Sequence, residues 1–219
     1  MIKAIVFDFD GTIANTIPAI REGVNATMRL HGYPEHSMEN ILAFINNGAK
    51  SLIQKAMPAE LQNNESLVNA VLRDYNRCYG EVCLQTKEAY DGVAEVIQRL
   101  HKSYRIGVLS NKQDVYVKKL TEQVLAAGSW DAAQGVVEGH PTKPHPYLSE
   151  KIAADLGVSP QECALVGDSD IDILTAQNAG MLHIGVTWGF RSEEFLRAHG
   201  ATNLAHTPAE LENFFREIL

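Results

Sequence analysis

Short apolar runs alternate with amphipathic segments from Tyr90 onward, and this alternation constrains the fold more than any other feature of the chain. The predicted strands are residues 2–7, 105–109, 134–137, 164–167 and 182–186. The predicted helices between the later strands are residues 93–101, 115–127, 147–156 and 171–179. Strands that alternate with helices pair in parallel, because each crossover needs a helix. The pattern therefore predicts an α/β fold with a doubly wound parallel sheet.

The segment after the first strand has a different pattern. Ile17, Ile20, Val24 and Met28 recur at helical spacing, and further helical patterns continue without a convincing strand. We expect a small all-helical domain at residues 16–85, inserted after the first strand of a core formed by residues 1–15 and 86–219. A chain of 219 residues suits one core domain with a smaller insertion.

Composition excludes some classes of function. The net charge of −8 argues against nucleic-acid binding, which needs a basic surface. No apolar run reaches the roughly 20 residues that cross a membrane, and the first strand leaves no room for a signal peptide. The three cysteines have no metal-binding spacing, so we expect free thiols. These features predict a cytoplasmic protein without nucleic-acid or membrane partners, and they leave open whether it is a monomer or a homodimer.

Asp8 and Asp10 follow the first predicted strand directly. Two carboxylates at the end of a buried strand repel each other and lose solvation, and a divalent cation such as Mg²⁺ would compensate them. A second acidic cluster follows the strand at residues 164–167. There Asp168 and Asp172 are four residues apart and can point toward one ion, whereas Asp170 suits the positive end of the next helix.

Polar residues also follow the strand at residues 105–109. Ser110 and Asn111 could form a phosphate cradle, or they could cap the following helix. Lys143 lies in a proline-rich loop, where it could offset the acidic clusters or could simply be solvated. Ligands of doubly wound sheets bind at the carboxyl ends of the strands, so we expect these groups to converge.

Taken together, these clusters resemble the four motifs of the phosphatase branch of the haloacid dehalogenase superfamily. Motif one is Asp8-Phe9-Asp10-Gly11-Thr12, motif two contains Ser110, motif three is Lys143, and motif four is the segment 167–172 with its continuation to residue 180. Their order and spacing agree along nearly the whole chain. The resemblance implies a Rossmann-like core, a Mg²⁺-dependent phosphatase activity, and a type-one helical cap at residues 16–85.

The resemblance also implies roles for these residues. Asp8 would attack phosphorus to form an aspartyl-phosphate, and Asp10 would act as general acid and base. Mg²⁺ would be held by Asp8, Asp168 and the backbone carbonyl of Asp10, with Asp172 supporting it directly or through water. Ser110 and Lys143 would bind the transferring phosphoryl group. The implied substrate-binding residues are Gly11, Thr12 and Asn111 in the core and Asn47, Gly48 and Lys50 in the cap.

The cap segment 46–52 resembles the cap loop of phosphoglycolate phosphatases, although an ordinary turn between helices would also explain its glycine. Residues 13–16 read Ile-Ala-Asn-Thr where the family commonly has Leu-x-Asp-Ser. We expect hydrolysis of a small phosphorylated metabolite, with 2-phosphoglycolate as first candidate. Sugar-phosphate or nucleotide hydrolysis, pyrophosphate hydrolysis and β-phosphoglucomutase chemistry stay open. Phosphonate hydrolysis through Lys50 or Lys55 and a catalytically silent binding protein are further alternatives.

Overall fold

The computed structural model describes residues 1–45 and 48–217, and these form two compact units. The core unit comprises Met1–Asn15 and Lys87–Leu219, and the helical unit comprises Thr16–Thr86. The helical unit contains α1 (Ile17–His31), α2 (Met38–Phe44), α3 (Gly48–Ala56) and α4 (Glu65–Val82). Its described residues include no strand.

The core unit is built on a six-stranded sheet with the order β3-β2-β1-β4-β5-β6 and parallel pairing throughout. The strands are β1 (Ala4–Phe7), β2 (Arg105–Gln113), β3 (Ala132–Val136), β4 (Cys163–Gly167), β5 (Leu182–Val186) and β6 (Leu204–Ala205). The core helices are α5 (Val93–Leu100), α6 (Asp114–Val124), α7 (Tyr147–Asp155), α8 (Asp170–Ala179), α9 (Glu193–Ala198) and α10 (Pro208–Glu217). The prediction of a doubly wound, Rossmann-like α/β core is confirmed.

The central strands owe their position to their composition. Every residue of β1 is buried, as expected for a parallel strand covered by helices on both faces. On one face, Val6 and Leu165 pack with Ile152 of α7 and Ala176 of α8 in one hydrophobic cluster. This packing fixes the carboxyl ends of β1 and β4 beside each other.

Two parts of the core differ from the sequence-based expectation. Strand β2 continues to Gln113, so Ser110 and Asn111 lie within it, and its register with β3 shifts between Leu109 and Gln113. Gln113 occupies the N-cap position of α6, so the alternative that Ser110 or Asn111 caps this helix is wrong. The elements β6, α9 and α10 follow the last predicted strand and were not expected, because their apolar runs are short.

The helical unit is held together mainly by α1 against α4. Val24 and Met28 of α1 and Val71 and Tyr75 of α4 are buried. A side chain on Gly23 would approach the Tyr79 backbone to 3.1 Å, so this glycine permits close packing of the two helices. No helix among the described residues combines the length and the apolar character required to span a bilayer.

The cysteines are free thiols, as expected. Cys83 and Cys163 are buried, and Cys78 is partly buried.

His183 of β5 generates a prediction about acid stability. Both ring nitrogens are buried without a hydrogen-bond partner among the described residues. Burial lowers the pKa of His183 to about 4, although the charge of Asp172 acts in the opposite direction. An unfolded histidine titrates near pH 6.5, so the unfolded chain gains a proton first and stability falls as the pH drops from about 6.5 toward 4. At pH 5 this costs about 2 kcal/mol.

We therefore expect His183→Leu to lose less stability than the wild type between pH 7 and pH 5, by about 2 kcal/mol. Urea unfolding at both pH values measures the difference. Identical pH dependence in the two proteins would contradict the assignment of this titration to His183.

Candidate active site

Three buried carboxylates meet at the carboxyl ends of β1 and β4. Asp8 follows β1, and its backbone N–H donates to the carbonyl of Val166 in β4 at 2.8 Å. Asp168 follows β4, and Asp172 lies in the first turns of α8. One carboxylate oxygen from each of the three lies within 4.8 Å of the others. The structure thus brings together three of the four side chains predicted at a divalent-cation site, and Asp10 is not part of this cluster.

Lys143 lies among these carboxylates. Its Nζ is 2.8 Å from Oδ1 of Asp8 and 2.7 Å from Oδ1 of Asp172, and the residue is only 4% exposed. Lysine is seldom buried to this degree unless it is paired with acids. The alternative of a solvated loop lysine is therefore wrong.

The electrostatics of the cluster favour a further cation. Burial, together with the charges of Asp172 and Asp10, raises the pKa of Asp8 to about 7, although the charge and hydrogen bond of Lys143 act in the opposite direction. Burial, with the charges of Asp172 and Asp8, also raises the pKa of Asp168 well above its ordinary value. For Lys143, burial lowers the pKa, but Asp172 and Asp8 outweigh it and the net change is upward. One ammonium does not balance three carboxylates, and a hard divalent ion prefers this oxygen donor set.

Asp172 is oriented by the start of α8. Ser169 caps the helix, and its backbone N–H and hydroxyl donate to Oδ2 of Asp172 at 3.2 and 2.6 Å. The other carboxylate oxygen is the one that contacts Lys143. Asp172 therefore serves both the local capping box and the buried cluster. Asp170 lies in the first turn of α8, outside the carboxylate cluster, as its interpretation as a helix-end acid predicts.

Asp168 is enclosed by residues from two loops. Thr12 donates its hydroxyl to Oδ1 at 3.2 Å, and the Phe190 backbone N–H donates to Oδ2 at 2.7 Å. A side chain on Gly11 would come within 2.3 Å of the Asp168 carboxylate, and one on Gly189 would come within 2.4 Å of its Cβ. Both Gly11 and Thr12 were predicted to bind substrate. In the structure, Thr12 contacts Asp168 through its hydroxyl, and Gly11 leaves room for the Asp168 carboxylate because it has no side chain.

Gly189 and Phe190 are parts of this site that were not predicted from the sequence. Both follow β5, the strand next to β4, so the rule that places sites at strand ends could have found them. Trp188, which precedes Gly189, donates its indole N–H to the carbonyl of Thr12 at 3.1 Å.

The end of β2 supplies polar groups to two different neighbours. The side-chain amide of Asn111 accepts from the backbone N–H of Lys143 at 2.8 Å and donates to its carbonyl at 3.0 Å. This amide, predicted to bind substrate, holds the main chain of Lys143. Ser110 lies 3.5 Å from Oδ2 of Asp10, and Nζ of Lys112 lies 3.0 Å from Oδ1 of Asp10.

The predicted cap residues lie in the helical unit. Gly48 begins α3 with a φ of 76°, which favours glycine. Lys50 of α3 forms an exposed ion pair with Glu65 at 3.1 Å. Asn47 lies outside the described residues.

Comparison with known proteins agrees with this geometry. The model of the haloacid dehalogenase-like hydrolases matches residues 5–186. The chain belongs to this hydrolase family.

The relatives and structures most similar to the chain include enzymes named for one substrate. A phosphoglycolate phosphatase from Haemophilus influenzae is 32% identical over 198 residues, covering 86% of this chain and 87% of the relative. One from Vibrio parahaemolyticus is 28% identical, with 96% and 94% covered. The crystal structure of a candidate phosphoglycolate phosphatase from Lactobacillus delbrueckii subsp. bulgaricus has a TM-score of 0.88 and 32% identity, with 97% of each chain covered. The predicted membership of this superfamily and assignment as a phosphatase are confirmed.

The contact between Gly11 and Asp168 generates a prediction. Gly11 has a φ of 84° and Gly157 a φ of 73°, but a side chain on Gly157 would meet nothing within 4 Å. We expect Gly157→Ala to cost about 1 kcal/mol for the backbone conformation alone. Gly11→Ala should cost about 1–3 kcal/mol more, because the new methyl group displaces Asp168. Chemical unfolding of both variants measures this, and equal losses would contradict a tight fit.

The two hydrogen bonds between the Asn111 amide and the main chain of Lys143 generate a second prediction. Asn111→Ala removes both hydrogen bonds to the main chain of Lys143, so the ammonium loses its fixed position and phosphatase kcat/KM should fall about 10-fold or more. Asn178→Ala is the matched control, because Asn178 donates to the carbonyl of Pro144 in the same loop at 2.9 Å. The control should change the rate less than about 3-fold. Steady-state kinetics of both variants on one phosphate ester measure the difference. Equal kcat/KM values for the two variants would contradict the role of Asn111 in holding Lys143.

Proposed function

We propose that this protein hydrolyses phosphate monoesters of small metabolites with Mg²⁺, through an aspartyl-phosphate on Asp8, and that 2-phosphoglycolate is its substrate. The cluster of Asp8, Asp168 and Asp172 carries this proposal, with Lys143 in contact with Asp8 and Asp172. A buried carboxylate held by an ammonium, beside a donor set suited to Mg²⁺, fits phosphoryl transfer, which depends on positioning and on charge stabilisation.

The first chemical step uses Asp8 and Asp10. A carboxylate oxygen of Asp8 attacks phosphorus, the bond from phosphorus to the ester oxygen breaks, and Asp10 gives its proton to the departing alkoxide. Lys143 holds Asp8 by the 2.8 Å contact and offsets negative charge on the phosphoryl oxygens. The hydroxyl of Ser110 donates to one of those oxygens.

The second step returns the enzyme to its starting state. Asp10, now ionised, takes a proton from a water molecule, and the resulting hydroxide attacks phosphorus. The bond between phosphorus and Asp8 breaks, which releases inorganic phosphate and restores both carboxyl groups.

Asp8, Asp168, Asp172 and the backbone carbonyl of Asp10 would hold Mg²⁺. When bound, this ion supplies positive charge to the transferring phosphoryl group.

The substrate assignment rests on the relatives. The similar proteins from Haemophilus influenzae and Vibrio parahaemolyticus are phosphoglycolate phosphatases. We further propose that the helical unit is the cap that selects the leaving group, with Asn47, Gly48 and Lys50 as its substrate-binding residues. Gly11, Thr12 and Asn111 support the site from the core. The cytoplasmic location and the oligomeric state stay predictions.

The nucleophile can be tested by substitution. Asp8→Asn should reduce phosphate release by at least about 10³-fold, because an amide does not attack phosphorus. Asp155→Asn is the control, because Asp155 pairs with Lys151 on the exposed side of α7. Release of inorganic phosphate from 2-phosphoglycolate and from an aryl phosphate is measured for both. Undiminished activity of Asp8→Asn would contradict the mechanism.

Metal and substrate are tested on the wild-type enzyme. Treatment with a chelator should abolish hydrolysis, and added Mg²⁺ should restore it, whereas full activity in the chelator would contradict the metal site. Among phosphoglycolate, sugar phosphates, nucleotides and pyrophosphate, kcat/KM should be highest for phosphoglycolate by about 10-fold or more. A higher value for another ester would overturn the substrate assignment and leave the mechanism standing.

A further inference from the structure

Lys112 is a second buried lysine at the same edge of the sheet, and the mechanism above gives it no role. Its side chain is only 5% exposed, although it lies near the end of β2. An ammonium is costly to bury without a carboxylate partner. Asp10 provides such a carboxylate partner.

Two contacts of the Asp10 carboxylate come from strand β2. Nζ of Lys112 lies 3.0 Å from Oδ1 of Asp10, and the hydroxyl of Ser110 lies 3.5 Å from Oδ2. The backbone N–H of Lys112 also donates to the Ser110 hydroxyl oxygen at 3.3 Å. Each oxygen of the Asp10 carboxylate thus faces a donor from β2, and the closer of the two donors is Lys112.

Strand geometry explains why Lys112 and Asn111 have different partners. Side chains two residues apart on a strand point to the same side, and the residue between them points away. Ser110 and Lys112 accordingly face Asp10, while Asn111 holds the main chain of Lys143. These three residues lie between Leu109 and Gln113, the segment of β2 in which the register with β3 shifts.

The two buried lysines therefore contact different carboxylates. Lys143 contacts Asp8 and Asp172, and Lys112 contacts Asp10. We propose that Lys112 is a positioning residue that holds the carboxylate of Asp10 beside Ser110 and acts on the reaction only through Asp10. This inference rests on the proposed function, because that function assigns the proton transfers to Asp10.

The first test uses the leaving group. We expect Lys112→Met to lower kcat/KM about 10- to 100-fold for alkyl phosphates, whose leaving groups need a proton from a well-placed acid. Aryl phosphates with acidic phenols need less protonation and should lose less. Lys118→Met is the matched control, because Lys118 forms an exposed ion pair with Asp114 on α6. It should leave both classes of ester unchanged. Lys112→Arg, which keeps the charge, should restore part of the rate on alkyl esters.

The second test is a double-mutant cycle with Asp10→Asn. If Lys112 acts only through Asp10, Lys112→Met should lower kcat/KM little further once Asp10 has been replaced. The losses of the two single variants are then far from additive. If Lys112 instead binds the substrate, its replacement costs the same factor in both backgrounds and raises KM. Far-UV circular dichroism checks that each variant is folded. Lys112→Gln replaces Lys112→Met throughout if the latter is not native.

The outcomes separate the inference from the proposed function. Non-additive losses with a steeper dependence on the leaving group support the positioning role. Additive losses, or equal losses for alkyl and aryl esters, overturn it while Asp10→Asn remains impaired. An unimpaired Asp10→Asn would instead overturn the role of Asp10 in the proposed function.

Discussion

The site depends on one buried ammonium group. Lys143 lies between Asp8 and Asp172, and it allows two carboxylates to be buried at a distance where they would otherwise repel each other. Removal of one partner from a buried ion pair leaves an uncompensated charge, which is far more costly than the loss of a surface pair. Lys143 is itself held by Asn111 through both groups of its backbone. The position of the proposed nucleophile therefore depends on a chain of contacts that extends from β2 through the loop of Lys143 to the end of β1.

The topology of the sheet brings these segments together. Strand β1 lies between β2 and β4, so the carboxyl-terminal ends of these three neighbouring strands share one edge of the sheet. The ends of these strands carry most of the polar groups of the site, and α8 adds Asp172 from the turn after β4. The loop after β5 encloses Asp168 through Gly189 and Phe190. Paired charged side chains are concentrated at this edge of the core unit.

Much of this could be predicted from the sequence. Alternating apolar runs predicted the parallel sheet, and the acids after β1 and β4 predicted the carboxylate cluster, because both signals are local. The burial of Lys143 could not be derived from its own segment, since it depends on carboxylates more than twenty residues away along the chain. The use of the Asn111 amide and the pairing of Lys112 with Asp10 depend on side-chain directions along β2. These side-chain directions could be predicted only with the knowledge that β2 continues past Leu109. Strand β6 and helix α9 were missed because they have only two and six residues. Helix α10 has ten residues, but its apolar runs are short.

The central claim is that Asp8 becomes phosphorylated during turnover. The direct test is rapid acid quenching of the Mg²⁺-loaded enzyme during hydrolysis of 2-phosphoglycolate, followed by digestion and mass spectrometry of the peptide that contains Asp8 and Asp10. The account predicts one added phosphoryl group on Asp8 itself, present only while substrate is being consumed. Steady hydrolysis without a phosphorylated peptide, or with the phosphoryl group on another residue, would contradict it.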